Sequence, residues 1–235
     1  MRTVVWYIYF WLYQLFALPA YFITSRQIKK GQNIDGKVHK IVGSWARSLI
    51  RLGGGKIKVV GEEHIPKTGP IVFVANHQSN FDIPLLLGYI DRPKGFIAKA
   101  ETKKIPIVGG WMSFMKCVFM DRSNPRAALK AIKEGVEIVK SGHPLVIFPE
   151  GTRSADGTVG EFKPGSFKLA MKAGALIVPV TIDGTYDMMK KGQKTIHPAD
   201  VTLTISKPIP SEGVESTESF ALREQVQAII ASHLS

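Results

Sequence analysis

From Thr3 to Ser25 the chain runs 23 residues without a single charge. No other feature constrains the fold more. As one helix this stretch would reach about 34 Å at about 1.5 Å per residue, enough to cross a hydrocarbon core about 30 Å thick. It holds nine of the 22 aromatic residues, and six of those nine are Trp or Tyr, which favour the headgroup level of a bilayer. Pro19 should bend it. A cleaved signal peptide fits poorly, because the aromatics begin at Trp6 and only Arg2 precedes them as a basic residue.

The charge lies next to that stretch. Residues 1–60 contain ten lysines and arginines and one acid, Asp35, so +9 of the chain's net +12 sits in the first quarter. A pI near 9.8 would also suit a nucleic-acid binder. Basic residues flanking an apolar segment instead predict contact with anionic lipid on the cytoplasmic face of the cell membrane, with no nucleic-acid partner. Lys37–Leu52 repeats Val38, Ile41, Val42, Trp45, Leu49 and Ile50 at helical spacing, with Lys40, Arg47 and Arg51 on the other face. Such a helix can lie in a membrane interface or cover a core. Residues 1–54 are therefore expected to form a two-helix membrane anchor, and 55–235 the catalytic body.

Past Lys56, short β-branched runs alternate with helical stretches. Strands are predicted at Ile57–Val60, Ile71–Ala75, Phe96–Ala98, Val118–Met120, Leu145–Phe148, Leu176–Ile182 and Val201–Ser206. Helices are predicted at Pro125–Lys140, capped by Asn124, at Gly165–Ala173 and at Ser216–His233. The alternation predicts an α/β fold, with a mixed, largely parallel sheet flanked by helices. The single cysteine, Cys117, excludes an internal disulfide framework and a multi-cysteine zinc site. The six histidines are scattered without ligand spacing, so no metal or other cofactor is expected.

Polar residues collect where strands end. His77 follows the strand Ile71–Ala75, and Asp82 opens a helix five residues on. Folded back, that carboxylate would hold one ring nitrogen and leave the other as a base. Phe148-Pro149-Glu150-Gly151-Thr152-Arg153-Ser154 closes another strand, with Arg153 able to fork a phosphate and Gly151 leaving room at the backbone. Phe119-Met120-Asp121-Arg122 ends a third, and Lys99 follows Phe96–Ala98. No Gly-x-Ser-x-Gly elbow is present, which argues against a serine hydrolase of that type.

Asn76-His77-Gln78-Ser79-Asn80-Phe81-Asp82 resembles the first motif of the glycerolipid acyltransferase family, His followed by four residues and Asp. Phe119–Arg122 looks like its second motif, Phe148–Ser154 its third and Ile177-Val178-Pro179-Val180 its fourth, all in family order over roughly residues 55–210. Met120 departs from the aliphatic residue common there. In size and anchor the chain is similar to the bacterial 1-acyl-sn-glycerol-3-phosphate acyltransferases. The resemblance implies that His77 and Asp82 are catalytic and that Arg122, Glu150, Gly151 and Arg153 bind a phosphorylated acceptor, to which Lys99 is added from its position. It implies lysophosphatidic acid as acceptor and acyl-CoA or acyl carrier protein as donor; the alternatives are glycerol 3-phosphate or another lysophospholipid as acceptor, or a non-catalytic membrane lipid-binding module. The fourth motif would lie near the donor or shape the core.

Overall fold

The computed structural model describes residues 1–214 and 218–234. An eight-stranded sheet organises them. Its strands are β1 (Gly55–Val60), β2 (Ile71–Ala75), β3 (Gly95–Lys99), β4 (Val118–Met120), β5 (Leu145–Ile147), β6 (Leu176–Asp183), β7 (Ala199–Ile205) and β8 (Ile209–Pro210). The order across the sheet is β1-β7-β6-β2-β5-β3-β4, with β8 beside the start of β6. All pairs are parallel except β6 with β7 and with β8. The mixed, largely parallel sheet predicted from the sequence is what forms.

The central strand β2 shows why. All five of its residues are buried, as expected for a parallel strand covered on both faces. Ile71, Phe73 and Ala75 pack into one core layer while Val72 and Val74 pack into the other, the period of two that a pleat imposes. Pro179 sits in β6 between Ile177, which pairs with β8, and Val180, which pairs with β7. A residue without an N–H fits where the neighbouring strand changes.

One face of the sheet carries α6 (Pro125–Lys140), α7 (Lys168–Ala173) and α9 (Ser219–Ala231). Asn124 caps α6 through its side-chain oxygen, which accepts from the N–H groups of Arg126 and Ala127. The predicted start of the last helix, Ser216, lies outside the described residues. Helix α7 begins at Lys168 rather than Gly165, and Ser166 in the preceding turn is bonded to Lys163 and Pro149.

The other face carries α1 (Arg2–Phe16), α2 (Leu18–Lys29), α3 (Asp35–Gly53), α4 (Asp82–Tyr89) and α5 (Val108–Phe114). Among the described residues no single helix is long and apolar enough to cross a membrane. Helices α1 and α2 break at Ala17 and meet at 47°, with Pro19 in the first turn of α2 where its missing N–H costs nothing. The inward side of α1 is fastened to α3: Trp6 Nε1 donates to Leu49 O at 2.9 Å, and Tyr9 Oη meets Ser48 Oγ at 2.7 Å. The apolar stripe of α3 is taken up by the protein, with Val38, Val42, Ala46, Leu49 and Ile50 all buried. Its two sequence readings are not exclusive, and this packing meets the one as cover for a core. Trp6, Phe10 and Tyr13 likewise pack inward, against Phe81 and Trp45. The apolar side of α1 and α2 left exposed carries Val5, Ile8, Trp11, Leu12, Leu15, Phe16, Phe22 and Ile23.

The start of α3 is pinned electrostatically. Asp35 Oδ2 faces His143 Nδ1 at 3.3 Å and Lys116 Nζ at 2.6 Å. The His143 hydrogen bond and then Lys116, against opposing burial, hold its carboxyl at about 2 rather than 3.8. An acid with a depressed folded pKa stabilises the fold above its unfolded pKa and loses that contribution as pH falls through the folded value. Asp35→Asn should therefore lower the urea midpoint at pH 6, and the gap from wild type should close between pH 4 and pH 2.

Candidate active site

Strands β2, β5, β3 and β4 run parallel, so their carboxyl ends line one edge of the sheet, where open α/β folds place ligands. Across that edge they deliver His77, then Glu150 to Arg153, then Lys99, then Arg122.

His77 and Asp82 are brought together. Nδ1 of His77 lies 2.6 Å from Asp82 Oδ2, with the carboxylate fully buried and the imidazole 18% exposed. The same oxygen accepts from the N–H groups of Gln78 at 2.7 Å and Ser79 at 2.9 Å, and Thr185 Oγ1 donates to the other, Oδ1. A carboxylate so held accepts a proton bond from Nδ1, fixes the tautomer and leaves Nε2 as the basic position. Phe148 stacks on the imidazole at 4.1 Å between centroids and fixes its plane. Neither Thr185 nor Phe148 was singled out from the sequence. Thr185 follows β6 by two residues and meets Asp82 across 103 positions, a contact without local pattern.

The loop carrying His77 is held from both sides. Asn76 bridges to Ile182 of β6 with two hydrogen bonds of 2.8 Å, and Ser79 Oγ donates to Met189 O at 2.8 Å. Gln78 reaches Gly157 O at 2.7 Å, and Ser154 N donates to His77 O at 2.6 Å.

Glu150 lies behind the histidine and is not among the residues that line the cavity on which His77 opens. It is 5% exposed, and its two oxygens accept from His77 N at 2.7 Å and Gly160 N at 3.0 Å. Burial pushes its pKa up, and these two N–H groups pull it back. The geometry fits a strut that sets the backbone of the first motif, and glutamate at a strand end gave no sign of which partner it would take.

His77, Lys99, Arg122, Gly151 and Arg153 all line one cavity of about 680 Å³. It passes between the sheet edge and α1, α3 and α5, along Trp6, Phe10, Trp45, Phe81, Trp111 and Met112. One end is cationic and polar, the rest aromatic and aliphatic. Arg122 Nη1 donates to Gly151 O at 2.6 Å, and Gly151 has a φ of 73°, which favours glycine at that turn. Cys117 also lines the cavity, but burial pushes its thiol up to about 12 and its sulfur accepts from Phe96 N at 3.3 Å. Among the described residues no group of His, Cys, Asp and Glu could hold a metal ion.

A histidine held by a buried carboxylate thus opens on an apolar cavity with a cationic mouth. The chain belongs to the acyltransferase family, whose family model matches residues 56–183. It is 38% identical over 181 residues to a 1-acyl-sn-glycerol-3-phosphate acyltransferase of Chlamydomonas reinhardtii, covering 76% of this chain and 54% of the relative. Against the chloroplastic 1-acyl-sn-glycerol-3-phosphate acyltransferase of Arabidopsis thaliana it is 41% identical over 156 residues, covering 66% of this chain and 44% of that one. The chain thus spans about half the length of these two curated relatives. The crystal structure of the 1-acyl-sn-glycerophosphate acyltransferase PlsC from Thermotoga maritima superposes with a TM-score of 0.87 at 34% identity, covering 98% of this chain and 92% of that one.

Proposed function

We propose that this protein moves a fatty acyl group from an acyl thioester, acyl-CoA or acyl carrier protein, to the sn-2 hydroxyl of 1-acyl-sn-glycerol 3-phosphate, giving phosphatidic acid. The observation that carries the reading is the His77–Asp82 pair opening on a cavity that is cationic at one end and apolar along the rest. The acceptor is an amphiphile of that description. Its phosphate goes to Arg122, Arg153 and Lys99, which brings the hydroxyl to His77.

Nε2 of His77 takes the hydroxyl proton as the oxygen attacks the thioester carbonyl. A C–O bond forms, and the carbonyl pair moves onto oxygen. Collapse of that intermediate breaks the C–S bond, and the imidazolium gives its proton to the departing thiolate. Asp82 holds the ring through Nδ1 and stabilises the imidazolium. General-base catalysis of this kind contributes about 10²–10⁴-fold. The test is purified protein in detergent given labelled lysophosphatidate, glycerol 3-phosphate and lysophosphatidylcholine in parallel, with both donors. Phosphatidate from lysophosphatidate supports the reading, and preference for either other acceptor sinks it.

The exposed face of α1 and α2 is read as the surface that rests on one leaflet of the membrane, with the bend keeping both helices at the interface. Deleting residues 1–36 would also remove a wall of the cavity, so substitution on the outer face is the cleaner test. Leu12, Phe16 and Phe22 are 47%, 81% and 57% exposed. Each contributes about 1.5–3 kcal/mol when its side chain is fully buried. Changing all three to Ser should weaken liposome sedimentation by about 10²-fold or more, given that burial scale. Activity on detergent-dispersed substrate should persist. Unchanged sedimentation would refute the membrane reading.

A further inference from the structure

Two cations converge on Gly151. A β-carbon added there would lie 2.5 Å from Arg122 Nη1 and 2.9 Å from Lys163 Nζ, so both side chains end against the bare α-carbon. Neither pairs with a carboxylate among the described residues. Like charges this close repel, and a dianion between them reverses the sign of the interaction.

The backbone of Lys163 is built in, while the side chain is exposed and lies beside the cavity lining at Gly151 rather than within it. Phe162 before it is fully buried and stacks near Phe167. Lys163 N donates to Pro149 O at 3.0 Å, and Ser166 Oγ donates to the same carbonyl at 3.1 Å. The turn that presents the lysine is therefore bonded to the segment that presents Gly151 and Arg153. Lys163 stands ten residues past Arg153 and outside the four motif segments, where it reads in the sequence as a solvated charge.

We infer that Lys163 is a specificity-determining residue for the acceptor, its ammonium acting with Arg122 across Gly151 to hold the oxygens of a phosphomonoester. The inference rests on the acyltransfer reading above. A phosphomonoester carries close to two negative charges at neutral pH, and a phosphodiester carries one. Two cations at a single glycine favour the former.

The test uses the full chain in detergent with lysophosphatidate, the methyl ester of its phosphate, and acyl-CoA. Lys163→Gln should raise the lysophosphatidate KM about tenfold, the scale of one charge-assisted hydrogen bond. The preference for lysophosphatidate over its methyl ester should fall by a similar factor, while the thioester KM and Tm stay put. Lys163→Arg should retain most of the preference. An unchanged preference in a folded Lys163→Gln protein overturns the inference, as does a rise confined to the thioester KM. Titration with inorganic phosphate, followed by thermal shift, separates this from the functional reading. A midpoint raised about tenfold by Lys163→Gln upholds the anion site even in a protein inactive on lysophosphatidate, and an equal midpoint refutes it.

Discussion

His77→Ala should abolish acyl transfer, by about 10²–10⁴-fold and toward the upper end because the nucleophile is a weakly acidic alcohol. Tm should barely move, since the side chain is partly exposed and the Asp82 carboxylate it leaves keeps three other donors. Asp82→Ala should be as inactive and also less stable. It strands the N–H groups of Gln78 and Ser79 beside a fully buried position, while the Thr185 hydroxyl keeps Gln78 Oε1 at 3.3 Å. Each buried donor left without a partner costs about 1–3 kcal/mol. The pair is thus separable by calorimetry although kinetically alike. Turnover near wild type by folded His77→Ala protein would end the general-base mechanism.

Arg153→Ala should raise the lysophosphatidate KM about 10–150-fold, the range for a charge-assisted contact to a charged group, and leave the thioester KM nearly unchanged. A terminal phosphate offers several oxygens to a planar fork, which a lysine lacks, so Arg153→Lys should rescue only in part. Lysophosphatidylcholine should be used hardly at all by wild type, because its choline cation meets Arg122, Arg153 and Lys99 at the cavity mouth. Steady-state kinetics with each substrate varied in turn reads both constants. A climbing thioester KM with a flat acceptor KM would reassign the arginine to phosphates of the donor.

Much of this was legible where the governing interaction is local. The strand Ile71–Ala75 and the helix Pro125–Lys140 were read to the residue, because one is a β-branched run and the other has Asn124, Pro125 and a clean apolar stripe. The His77–Asp82 contact was legible because a strand end and a helix start five residues apart leave few ways to fold. Helix α5 was not. Gly109-Gly110 reads as a breaker, yet glycine is what lets Tyr21 of α2 lie within 2.4 Å of where a β-carbon of Gly110 would stand. Helix α8 (Thr185–Met188) and strand β8 are too short to carry a period. The contacts of Glu150 were hidden because its partners are backbone N–H groups, one of them 73 positions away, which leave no trace in side-chain pattern. The charge-free N-terminal stretch illustrates the same limit. Its composition showed apolar surface, but only the packing of Trp6, Phe10 and Tyr13 separates the side that walls the cavity from the side left bare.

Direct transfer from thioester to acceptor, with His77 as base and no acyl-enzyme, is the claim on which the rest depends. Intact-protein mass spectrometry of wild type incubated with acyl-CoA alone, then chased with lysophosphatidate, tests it. Cys117 is the only cysteine and lines the cavity, so it is the thiol an acyl group would reach. Direct transfer predicts unmodified protein before the chase and phosphatidate only after the acceptor arrives. A stoichiometric acyl adduct that forms without acceptor and is then consumed into phosphatidate would contradict it.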